Sequence, residues 1–154
     1  MQLGDFLDFD AISTRLSGGN KRSLLQQLAN LAGQRLAMDP ATILASLAER
    51  EQLGSTGLGH GVAIPHGKID GLTRIYGLFT RLSEPIDYKA IDGKPVDLVF
   101  LLLSPPDAGA EHLKALASVS RITRHVPTLE KMRGARSRDA LAAVLMGADE
   151  RDAA

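Results

Sequence analysis

One stretch of the chain concentrates groups that could do chemistry. Residues 54–68 read Gly-Ser-Thr-Gly-Leu-Gly-His-Gly-Val-Ala-Ile-Pro-His-Gly-Lys: five glycines, two hydroxyls, two histidines and a lysine. A neutral imidazole is a good nucleophile near pH 7, because its pKa lies close to about 6.5. His66 stands between Pro65, which stiffens the approach and carries no N–H, and Gly67, which lets another molecule come near the ring. Ser55 and Thr56, with the amides of Gly57 and Gly59, could donate hydrogen bonds to an anion. The stretch reads as a nucleophile beside an anion cradle; the bland alternative is a structural histidine in a glycine-rich turn. Two nucleotide-binding patterns fail on spacing. A P-loop needs four residues between its glycines and a hydroxyl after its lysine, whereas five separate Gly61 from Gly67 and Ile69 follows Lys68. The dinucleotide fingerprint started at Gly57 or Gly59 meets Val62 or Ile64 where it needs its third glycine.

The elements that must position these groups follow from periodicity and punctuation. Leu24, Leu25, Leu28, Leu31, Ala32 and Leu36 recur at helical spacing. Asp39-Pro40 is an N-cap followed by proline at the first helical position, opening a second helix through Ile43, Leu44 and Leu47 that ends near Leu53-Gly54. Ile12–Leu16 reads as a short edge strand, Val62–Ile64 as a short apolar one, and Arg74–Leu82 is β-rich. Ile86–Ile91 is expected to pair with Val96–Leu103 across the Asp92-Gly93 turn. Val96–Leu103 is apolar at nearly every position, as a central strand covered on both faces would be. A helix from about Ala108 to His125 is expected to carry Leu113, Leu116, Ala117 and Ser120 on one face, with His125 set against its C-terminal dipole. Thr128–Arg133 reads as helical, Ser137 as the N-cap of a last helix, and the tail after Gly147 as frayed. The expected architecture is α/β, a single domain over residues 1–154 with a small mixed β-sheet flanked by helices.

Composition narrows the function classes. Eighteen basic residues balance eighteen acidic ones, which argues against nucleic acid or an anionic membrane surface as partner. The absence of cysteine excludes disulfides, thiolate metal sites and cysteine nucleophiles, and fits a cytoplasmic location. The longest apolar run is far too short for a membrane span.

Glu49-Arg50-Glu51, Leu53-Gly54-Ser55-Thr56-Gly57 and Gly61-Val62-Ala63-Ile64-Pro65-His66-Gly67-Lys68 together resemble the fructose/mannitol-type enzyme IIA domains of the bacterial phosphotransferase system. The likeness is closest to the stand-alone nitrogen-regulatory branch. It continues through Pro85-Ile86, Pro95-Val96-Asp97-Leu98-Val99-Phe100 and Glu111-His112-Leu113. The resemblance implies that His66 accepts a phosphoryl group from a small histidine phosphocarrier protein. It makes His112 the second site histidine, near a helix start whose amides favour an anion. Arg50 matches a family position and could clamp phosphate; an ion pair with Glu49 or Glu51 is the competing role. Lys68 either helps neutralise phosphate or is simply solvated, and His60 is a rim contact or an exposed loop histidine. No cofactor and no metal are implied. A zinc site from His60, His66 and His112 would lack a carboxylate or thiolate at recognisable spacing. The output is either a regulatory target protein or a separate enzyme IIB component of sugar uptake. A binding module that is never phosphorylated is the reading of a different class.

Overall fold

The most apolar run in the sequence becomes the spine of the sheet. A computed structural model describes the backbone of residues 1–153 and the side chains of residues 1–149. In it Val96–Ser104 is strand β6, buried at every position except half-buried Asp97. It follows β1 (Ser13–Leu16), β2 (Gly57–Gly59), β3 (Val62–Ala63), β4 (His66–Lys68) and β5 (Tyr76–Ile86) in one mixed sheet of order β1-β5-β6-β3-β2, with β4 also on β6. β5 runs antiparallel to β6, whereas β3 and β4 run parallel to it. Helices α1 (Lys21–Leu36) and α2 (Pro40–Gln52) cover one face. Helices α3 (Ala110–Thr123), α4 (Val126–Gly134) and α5 (Arg138–Ala153), with two N-terminal 3-10 turns, cover the other. This is the α/β architecture expected from the sequence, with the edge strand, the proline-led second helix and the central strand where they were placed.

Alternation along β6 assigns its side chains to the two layers. Asp97 N and Leu98 N both donate to Gly61 O, at 3.0 Å each. This two-on-one step is a bulge, and it shifts the parity of all that follows. Phe100 and Leu102 thereby face α3–α5, while Val99, Leu101 and Leu103 face α1 and α2.

Four expectations need correction. Only Ile86 of the segment 86–91 pairs with β6, at Val96, and the long antiparallel partner is Tyr76–Arg81. Residues 87–95 form a loop, because Tyr88 is drawn inward to hydrogen-bond Glu51 and Lys89 adopts a left-handed φ of 59° that ends any strand. On α3 the buried face is His112, Ala115, Val119 and Ile122, and Leu113 is 66 % exposed. His125 N donates to Ile122 O at 3.0 Å at the end of α3, but its side chain turns to α4 as the N-cap, with Nδ1 accepting from Thr128 N at 3.3 Å. Finally, α5 continues past Gly147. Ala148 is buried, and the Asp149 carboxylate accepts from Leu3 N (2.6 Å) and Gly4 N (2.9 Å); the side chains beyond it lie outside the described residues.

Gly67 shows how tightly α2 lies on the strand that carries His66. Ser46 of α2 donates its hydroxyl to Lys68 O at 2.9 Å. A Cβ on Gly67 would collide with Ser46 Oγ and stand 3.2 Å from its Cβ. The close approach that glycine permits is thus made by α2 itself. Gly67→Ala should destabilise the fold by about 1–3 kcal/mol in denaturant unfolding. Adding Ser46→Gly should recover part of that loss, and a variant as stable as wild type would refute this packing account.

Candidate functional site

His66 is held at the point where a strand is broken. β3 and β4 pair with β6 in one register, Val62 opposite Leu98 and His66 opposite Leu102. Pro65 stands between them; it has no N–H to give, and its carbonyl accepts from Leu102 N at 3.0 Å. Ile64 gives its N–H to Thr56 O (2.9 Å), and its carbonyl lies 2.8 Å from His66 Nδ1. A carbonyl can only accept, so Nδ1 carries the ring proton and Nε2 is the bare nitrogen. Arg50 Nε donates to that nitrogen at 3.2 Å, while its Nη1 is anchored on Gly54 O at 2.9 Å. Burial, with the nearby Arg50 charge, holds the His66 pKa below its ordinary value, so the ring stays neutral and nucleophilic.

His112 faces His66 with ring centroids 5.5 Å apart and planes tilted by 50°. It sits in the first turn of α3, and its Nδ1 is 2.5 Å from Ser104 Oγ. Burial, then the neighbouring His66 and Lys68, hold its pKa below the ordinary value as well. The two rings, Arg50, Lys68 and Leu53 line an open pocket of about 470 Å³. Larger hollows lie along the N-terminal segment, but no histidine lines them.

The other expected groups separate into helpers and bystanders. Thr56 is buried and its hydroxyl is committed to Glu51 Oε1 and to Tyr88 OH, so it braces the site instead of lining it. Ser55 Oγ accepts from Gly57 N at 3.1 Å, a local turn bond that occupies the amide expected in the anion cradle. His60 and Gly61 form the two-residue turn between β2 and β3, with φ of 56° and 79°. His60 is exposed there and contributes backbone contacts to Asp92 and Arg133, away from the pocket. Among the described residues, no three histidine, aspartate or glutamate side chains gather as a metal site.

Glu51 is the main brace. Its nearly buried carboxylate takes Lys21 Nζ (2.6 Å), Tyr88 OH (2.9 Å), Thr56 N (3.2 Å) and the Thr56 hydroxyl. Burial alone would raise its pKa; the bonds from Lys21, Thr56 and Tyr88 outweigh that and hold it low. Arg50 consequently has no carboxylate partner among the described residues, and neither of the ion pairs considered from the sequence forms. Two contributors escaped sequence reasoning. Ser104 directly follows the apolar run Val96–Leu103, and a hydroxyl ending such a run was a usable signal. Leu53, 81 % exposed at the pocket edge, read only as a helix end.

Comparison with known proteins finds the same fold and related sequences. The chain is similar to a nitrogen regulatory protein of Bradyrhizobium diazoefficiens, 45 % identical over 145 residues that cover 94 % of this chain and 95 % of that one. A fructose-specific EIIA component from Haloferax volcanii is 34 % identical over 137 residues, covering 88 % and 89 %. The crystal structure of the nitrogen regulatory protein IIA-Ntr from Neisseria meningitidis matches with a TM-score of 0.87 at 36 % identity, covering 93 % of this chain and 98 % of that one. Residues 5–147 match the family model described as "Phosphoenolpyruvate-dependent sugar phosphotransferase system, EIIA 2", and the chain belongs to that family.

Proposed function

We propose that this chain is a cytoplasmic phosphocarrier that takes a phosphoryl group onto Nε2 of His66 from the phosphohistidine of a small carrier protein. The observation that carries the reading is the 2.8 Å contact of His66 Nδ1 with the Ile64 carbonyl, which puts the ring proton on Nδ1 and leaves Nε2 a bare nitrogen beside Arg50 in the pocket. In the transfer the Nε2 lone pair forms the new N–P bond as the donor N–P bond breaks, and the electron pair of that bond returns to the donor ring. Positive charge grows on the His66 ring and is met by the Ile64 carbonyl. Negative charge on the phosphoryl oxygens is met by Arg50, which must swing from Nε2 to the phosphate, by His112 and by Lys68. The protein supplies position and charge, which is most of what phosphoryl transfer asks of it. The regulatory output rests on the likeness to nitrogen regulatory proteins. The fructose-specific relative supports a second reading, in which phosphate moves on to a separate EIIB.

Three outcomes follow. Incubation with phosphoenolpyruvate and the upstream phosphotransferase proteins should add one acid-labile, base-stable phosphate, and His66→Ala should abolish it while keeping the fold. A wild type that takes no label from a competent donor overturns the proposal and leaves the non-phosphorylated binding module. With added EIIB, passage of the label onto it would favour sugar uptake over regulation.

The pH dependence has a definite sign. A depressed pKa keeps the ring neutral into mildly acidic solution, so transfer should fail only below the depressed pKa of His66. In an NMR titration His66 and His112 should both show midpoints below the free-imidazole value of about 6.5. A His66 midpoint at or above that value contradicts the site electrostatics.

The donor should dock on the apolar rim. Leu53 and Leu113, 81 % and 66 % exposed, lie beside Arg50 and His112 respectively. Titration with the carrier should shift amides at 49–54, 66–68 and 109–114. Leu53→Asp should weaken docking about tenfold, or ~1.4 kcal/mol. Shifts confined to α5 would sink this surface.

A further inference from the structure

We propose that Ser104 is a positioning residue: it fixes the tautomer of His112 so that an Nε2–H, and not a lone pair, faces the phosphoryl group on His66. The inference rests on the phosphocarrier reading of His66 and adds a residue to it.

Ser104 ends β6, a strand whose other polar member is Asp97. It is fully buried. The parity set by the bulge at Asp97-Leu98 turns its side chain toward the α3 layer, as for Leu102, and away from the layer of Leu103. Its hydroxyl oxygen lies 2.5 Å from His112 Nδ1, and among the described residues that nitrogen is its partner.

Two proton arrangements fit this contact. In the first, Ser104 donates to Nδ1: the hydroxyl proton has an acceptor, the ring nitrogen has a donor, and the ring proton sits on Nε2. In the second, Nδ1–H donates to Oγ; the hydroxyl proton is then buried with no acceptor, and Nε2 shows a lone pair to the pocket. An unpaired buried donor is costly, so the first arrangement should dominate by about tenfold or more. Burial and the flanking Lys68 keep the ring neutral, so a single tautomer matters.

The two site histidines are thereby made opposites by what each Nδ1 touches. His66 meets a carbonyl, which can only accept, so its Nε2 is bare. His112 meets a hydroxyl with nowhere else to donate, so its Nε2 is protonated. One ring attacks phosphorus and the other donates to the phosphoryl oxygens. A protonated Nε2 has no lone pair to offer, so His112 is not a second carrier.

Imidazole nitrogen correlation spectra of the unphosphorylated protein at neutral pH test this directly. For His112, Nδ1 should appear as the bare nitrogen and Nε2 as the protonated one, the reverse of His66 in the same spectrum. Ser104→Ala should mix the His112 tautomers and slow phosphoryl transfer about tenfold, against about a hundredfold or more for His112→Ala. In the His112→Ala background, Ser104→Ala should change the rate no further. A wild-type His112 protonated at Nδ1, or Ser104→Ala with unchanged tautomer and rate, overturns the proposal. A wild type that takes no label at all defeats the phosphocarrier reading instead, and the ring spectrum still decides the tautomer.

Discussion

Both site histidines and Lys68 are registered on β6. Its pairing with β3 and β4 in one frame puts His66 opposite Leu102 and Lys68 opposite Ser104, and the chain leaving β6 enters α3 with His112 in its first turn. Moving that frame by one residue would turn Ser104 and His66 to the wrong layers. The bulge at Asp97-Leu98 secures the frame, because both amides share the Gly61 carbonyl. Arg133 bridges the same corner by binding Asp97 and the His60 carbonyl. A glycine at 61 is required there, since φ is 79° and a Cβ would run into Arg133 and Asp97. The turn that carries exposed His60 thus sets the register of the histidine that follows it.

The net charge of zero conceals a local separation of charge. The pocket presents Arg50, Lys68 and the N-terminus of α3, and among the described residues the one carboxylate on its lining is exposed Glu49. Glu51, next to Arg50 in sequence, is turned away and neutralised by Lys21. A buried carboxylate is expensive to hold, and this one is acceptable because both its oxygens are occupied by donors. Its position explains why Thr56 and Tyr88 matter: they keep the carboxylate from Arg50, which stays available for an anion. Lys21 also lies 4.4 Å from the Tyr88 ring centroid, so the same cation ties α1 to the loop after β5.

The sequence made some of this plain and hid the rest for physical reasons. Local signals were legible: Asp39-Pro40 opens α2, β6 is apolar on both faces, and Pro65-His66-Gly67 marks the ring that lines the pocket. What stayed hidden depends on partners far along the chain. Thr56 and an anion-binding threonine look alike until Tyr88 and Glu51 arrive to claim the hydroxyl. Leu113 and Leu116 fit a helical stripe as well as Ala115 and Val119 do, and only contact with the sheet selects the face that is buried. Residues 86–91 alternate like a strand, but Tyr88 leaves the sheet and hydrogen-bonds Glu51 of α2, a partner far away in the chain. His125 follows one helix and precedes another, so spacing alone could not say which it caps.

Under the proposed function, the arrangement also accounts for how a phosphate this small could be read by another protein. Exposed Leu53 at the pocket edge is present whether or not His66 is modified, so contact area alone cannot report the state. Charge can. By analogy with hydroxyl phosphorylation, the modification adds roughly −1.5 to −2 charges. The free pocket offers the cations of Arg50 and Lys68; after transfer Arg50 is turned onto the phosphate and the local balance falls to near neutral or below. A partner with an acidic group opposite the pocket would bind the free form and be repelled by the modified one, while a basic partner would do the reverse. Because the rest of the chain is balanced, no long-range field competes with this local change of sign. A neutral chain with a cationic pocket therefore suits a switch whose whole signal is one phosphoryl group.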